Sequence, residues 1–150
     1  AVVLNARTFR QAADLYIAAH EGGWKNPKHH QQWCNTLAEY AYPHFGNLPV
    51  ARVDTGGVMA ALEPIWREKT ETASRLRGRI EAVLDYAKAR GWREGENPAR
   101  WRGHLANLLA KPGKIAKVKH HPAEPWPEMG AFVAALRARE GVASRALEFC

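Results

Sequence analysis

Glu71-Thr72-Ala73-Ser74-Arg75-Leu76-Arg77-Gly78-Arg79-Ile80-Glu81-Ala82-Val83-Leu84-Asp85-Tyr86-Ala87-Lys88-Ala89-Arg90-Gly91 is the stretch on which the fold turns. Leu76, Ile80, Val83, Leu84 and Ala87 recur every three or four residues, the period of an amphipathic helix. The spacing predicts a long helix that follows Thr72 and stops at Gly91. At about 100° per residue, Thr72, Arg75, Arg79 and Tyr86 share one flank of the apolar stripe, and Arg77, Glu81 and Lys88 the other. Three arginines in the first two turns oppose the helix dipole, which favours acids there by a few tenths to ~1 kcal/mol each. A bound phosphate would reverse that sign, because helix end and arginines would attract the same anion. Glu71, Glu81 and Asp85 offer the alternative of ordinary surface pairs.

Outward from this helix the pattern stays helical. Thr8 and Gln11 form a capping box for a first helix carrying Phe9, Ala12, Ala13, Tyr16 and Ile17, which Gly22-Gly23 ends. Asn26-Pro27 opens a second, with Asn as cap and Pro at the first helical position. Its buried stripe is Trp33, Leu37, Tyr40 and Ala41, and Phe45-Gly46-Asn47 closes it. Thr55 is the expected cap of a third helix (Val58, Leu62, Ile65, Trp66), which Pro64 should kink or split. Asn97-Pro98 suggests a short fifth helix to about Leu109. No run alternates convincingly with period two, so the expected class is all-α: a bundle of four to five helices. From Ala110 to Pro125 the Lys-Pro-Gly and His-His-Pro turns read as a basic linker, with a short extended stretch from Ile115 to His120. Pro127 starts another helix, and Ala143 to Cys150 begins a further one.

The composition is 46% hydrophobic with six Trp, enough for a core, and the formal charge is +7. Between Asn97 and Ala123 stand six basic residues, three histidines and no carboxylate, a field that attracts polyanions. In the second helix, Lys28, Gln31, Gln32 and Asn35 face away from Trp33 and Leu37, with Lys25 just before. Gln and Asn can read adenine edges in a major groove; a solvated face has the same composition. No stretch approaches the roughly 18 apolar residues of a membrane span, so a cytoplasmic protein is expected.

The chemistry-bearing residues form no active site. His29-His30 and His120-His121 are adjacent pairs that do not share a helix face. There is no HExxH, Cys/His quartet, phosphate loop or GxSxG elbow. Cys34 reads as a buried thiol, and Cys150 has no partner spacing. The tryptophans read as packing more than as base-stacking platforms.

Several of these segments together resemble phage-type tyrosine recombinases: Trp24-Lys25-Asn26-Pro27-Lys28-His29, Phe45-Gly46-Asn47-Leu48-Pro49-Val50, Thr72 to Glu81, Gly95-Glu96-Asn97-Pro98-Ala99-Arg100-Trp101, and Lys117-Val118-Lys119-His120-His121-Pro122. The resemblance implies a core-binding, SAM-like helical domain over residues 6–109, an interdomain linker over 110–121, and the first helices of a catalytic domain over 122–150. It implies a longer parent enzyme whose Arg–Lys–His–Arg–His/Trp set and nucleophilic Tyr match no residue here. The expected partners are double-stranded DNA and other recombinase protomers, with no cofactor and no metal. By position the implied DNA contacts are Lys25, Lys28, Gln31, Gln32 and Asn35 on the second helix and Thr72, Arg75 and Arg79 on the fourth. Lys111, Lys114, Lys117 and Lys119 of the linker complete the set. A helical protein-interaction module, with Trp126, Phe132 and Leu136 exposed, is the competing expectation.

Overall fold

The computed structural model describes residues 6–116 and 126–148. Helix α1 (Phe9–His20) begins as its capping box requires: Thr8 Oγ1 accepts from the Gln11 amide, and Gln11 Oε1 accepts from the Thr8 amide. Two more N–H groups at this helix start, those of Phe9 and Arg10, donate to the Leu48 and Gly46 carbonyls at 2.9 and 3.0 Å. The otherwise orphaned donors of the first turn are thereby all satisfied. Gly46 is demanded by the helical turn it closes, since a Cβ there would lie 2.7 Å from the Tyr42 Cα one turn earlier. A 3-10 turn, Glu21–Gly23, ends α1.

Helix α2 (Pro27–Thr36) starts on Asn26, whose side chain accepts from the Lys28 amide. It runs through a π turn, Leu37–Ala41, into a last helical turn, α3 (Tyr42–Phe45). Pro43 explains the π turn: it has no N–H to donate and its ring crowds the preceding turn. The Tyr42 amide accordingly reaches back five residues to the Leu37 carbonyl.

Helix α4 (Thr55–Trp66) departs from expectation at its start, where the cap is Asp54 and not Thr55. Asp54 Oδ1 accepts from the Gly57 amide at 2.8 Å, and the Thr55 hydroxyl is free to bond His104 Nε2 at 2.8 Å. Nor does Pro64 split the helix. It sits in the last turn, where one carbonyl loses a partner and the helix ends two residues later. Helix α5 (Thr70–Ala89) begins two residues before Thr72 and ends at Gly91 in a Schellman motif. The Trp92 amide donates to the Ala87 carbonyl and the Gly91 amide to that of Lys88, with Gly91 at φ 74°.

The expected fifth helix is absent. Residues 98–104 form successive turns, and Leu105–Asn107 is one 3-10 turn. Asn97 caps no helix: its amide nitrogen donates to the Glu81 carbonyl and Asp85, and its oxygen accepts from the Ala99 amide. Tertiary bonds to α5 outweigh the helix signal of Asn-Pro. The Lys-Pro-Gly run forms one helical turn, α6 (Pro112–Ile115), where an irregular linker going extended at Ile115 was expected. Lys117, Lys119, the His120-His121 pair and Cys150 lie outside the described residues.

These elements build one all-α unit. Phe9, Leu37, Phe45, Leu62, Leu76, Ile80, Leu84 and Leu105 are fully buried in a single core. Phe9 and Phe45 meet edge to face at 4.7 Å. Trp66 stacks on Trp101 at 5.7 Å and its indole N–H donates to the Ala110 carbonyl, fastening the chain after α5 to α4. Trp24, Trp33 and Tyr16 form a second stack. A separate compact unit includes helices α7 (Met129–Arg137) and α8 (Val142–Glu148), preceded by a 3-10 turn at Trp126–Glu128. In the described residues no strand forms beyond an isolated bridge between Thr8 and Pro49.

Candidate nucleic-acid interface

The polar face of α2 and the arginine flank of α5 are far apart in sequence and meet in one groove. His29, Gln32 and Trp33 form one wall, and Arg75, Gly78 and Arg79 the other. Thr36 and Thr72 extend it in one direction. In the other, His29 and Gln32 also border a depression with Trp24, Lys25 and Lys28 at the start of α2. Lys25, Lys28, Gln32, Thr72, Arg75 and Arg79 are therefore gathered along one path. Gln31 and Asn35 are exposed on α2 beside it and bonded to each other at 2.8 Å.

The arginines of α5 differ sharply in freedom. Arg79 is buried, and its Nη1 donates to the Gln32 carbonyl at 2.7 Å and to the Thr36 hydroxyl. Its guanidinium also lies over the Trp33 ring, 5.4 Å from the centroid. Burial, with a smaller contribution from Arg75, pushes its pKa below the usual arginine value; an arginine remains charged at neutral pH regardless. Arg79 is thus the floor of the groove and a clamp between α2 and α5. Helical spacing places Arg79 on the flank of Thr72 and Arg75, and the structure adds that α2 covers it there. Arg75 is the accessible one. Its 3.5 Å pair with Glu71 joins two largely exposed side chains, an arrangement worth at most ~1 kcal/mol and easily exchanged for a phosphate. Arg77, on the other flank, is committed to Glu81 at 2.6 Å and the Ala99 carbonyl at 2.8 Å.

Lys111 does not join this groove. It borders a second cleft on the opposite flank of α5, with Ser74, Arg77, Arg100, Trp101 and Arg102. Lys114 is exposed on α6. Arg100 and Arg102 stand in the acid-free segment, and the cleft beside the Trp66–Trp101 stack gathers them with Lys111. Arg100 is also paired with Glu96. Gly78 also lines the α2–α5 groove, although a glycine in mid-helix costs ~1 kcal/mol relative to alanine. Among the described residues, no cluster of His, Cys, Asp or Glu could hold a metal ion. No described helix is long and apolar enough to cross a membrane.

A family model described as the phage integrase central domain matches residues 9–104. The chain belongs to that family. Membership makes it part of the phage-type tyrosine recombinases and ties it to site-specific recombination. The solution NMR structure of a Nitrosospira multiformis protein is similar, with 53% identity and a TM-score of 0.61. That match covers 77% of this chain and 100% of the other. No curated protein matches. The integrase match spans both walls of the groove and stops just before the Leu105–Asn107 turn.

Proposed function

We propose that residues 6–109 are the core-binding domain of a site-specific recombinase and grip duplex DNA through the α2–α5 groove. Residues 110–121 add phosphate contacts, and 122–150 open the catalytic domain of the parent enzyme. The observation that carries this reading is the convergence of Gln32 on α2 with Thr72 and Arg75 on α5, beside Lys25 and Lys28. Cations at the rim supply sequence-independent affinity. Exposed Gln31, Gln32 and Asn35 supply donors and acceptors suited to base edges. Strand cleavage falls to the parent enzyme's catalytic set, to which no residue of this chain is assigned.

The groove is tested by replacing its cations one at a time. Lys28→Ala and Arg75→Ala should each weaken duplex binding and lower the salt dependence by about one unit of slope. Lys88→Ala, exposed near the far end of α5, should leave the slope unchanged. Equal effects at all three positions would remove the groove from the contact.

A second reading is favoured by the α7–α8 unit, where Trp126 is 84% and Val142 86% exposed, with Phe132 and Leu147 also exposed; Leu136, expected in this set, is half-buried. Exposed apolar side chains of this size suit contacts between recombinase protomers. Concentration-dependent sedimentation without DNA would support it, and monomeric behaviour throughout would dismiss it.

A further inference from the structure

Gly78 lies near the middle of the 20-residue α5, where glycine weakens a helix. A helix keeps such a residue when the backbone needs positive φ, when another segment approaches closely, or when the helix ends there. None of these holds. Gly78 is not among the positive-φ glycines, and a Cβ built on it meets nothing within 4 Å. The helix continues for more than two turns beyond it. Gly46 and Gly91 show the contrast, one because a Cβ would meet Tyr42 of its own turn at 2.7 Å and the other by its φ of 74°.

What Gly78 does border is the α2–α5 groove, on the same wall as Arg75 and Arg79 and facing Gln32. We propose that Gly78 is the point where duplex DNA lies closest to α5, its missing side chain letting the nucleic acid reach the helix backbone. The inference rests on the DNA-binding reading and assigns that surface its point of closest contact. The helix cannot retreat to admit a side chain, because its other face is seated in the core through Leu76, Ile80 and Leu84. Arg75, exposed and loosely paired, reaches a phosphate beside the bare backbone. Arg79, tied to α2, fixes the width of the groove.

The full chain and its Gly78→Ala and Gly78→Leu variants are compared by thermal melting and by fluorescence anisotropy. The probe is a labelled mixed-sequence duplex of about three helical turns at low salt. Gly78→Ala should melt about 3 °C higher, because alanine is the better helix former. It should nevertheless bind about tenfold more weakly, a loss equivalent to about 1.4 kcal/mol. Gly78→Leu should bind more weakly still. Variants that bind as tightly as the wild type would overturn the inference and leave the DNA-binding reading standing. A lower melting temperature for Gly78→Ala would also overturn it, by showing that the glycine serves the fold. A wild-type chain that fails to bind the duplex would defeat the DNA-binding reading, and this inference with it.

Discussion

Arg79 shows how one side chain can hold a site together without being its most available contact. Its hydrogen bonds to the Gln32 carbonyl and the Thr36 hydroxyl, and its position over Trp33, join the two helices that form the groove. Arg79→Ala should therefore cost about 2–3 kcal/mol in a urea melt, the scale of a charged hydrogen bond lost from a buried site. Arg79→Lys should recover little, because an ammonium cannot reproduce the planar fork. A variant as stable as the wild type would return Arg79 to the role of a free surface cation. Helical spacing correctly puts Arg79 on one flank with Thr72 and Arg75. It does not reveal that α2 covers the inner part of that flank, which depends on contacts more than forty residues apart in the chain. Arg75, one turn earlier, lies beyond that cover and stays exposed.

At the scale of elements, local rules succeed where the partners are local. The Thr8–Gln11 box, the Asn26-Pro27 start and the Gly91 stop each involve residues within six positions of one another. Gly91→Ala should destabilise the domain by about 1 kcal/mol by forcing a Cβ into positive φ, with Gly91→Asn milder. Chemical denaturation of the three proteins checks the order, and an Ala variant equal to glycine would contradict the cap. Where a side chain has a distant partner, the local signal misleads. Asn97 has the form of a helix cap but spends its amide on Glu81 and Asp85. Thr55 resembles a cap but bonds His104, while Asp54 takes the capping role. The π turn before Pro43 was readable in principle from the proline, which ends neither the helix nor its buried stripe.

Across the described residues, the all-α class and most of the core followed from apolar periodicity, and membership of the phage integrase family agrees with the class. The candidate contacts divide in a way that linear order does not show. One groove gathers Lys25, Lys28, Gln32, Thr72, Arg75 and Arg79, whereas Lys111 sits with Arg77, Arg100 and Arg102 across α5. Cations on both flanks of α5 give the basic excess a location, and in the proposed DNA-binding reading they make electrostatics the dominant source of affinity. The most direct measurement is the affinity of the wild-type chain for duplex DNA at 50 and 200 mM salt. With about four phosphates neutralised, affinity should fall about a hundredfold over that range. An affinity that does not change with salt would contradict the account.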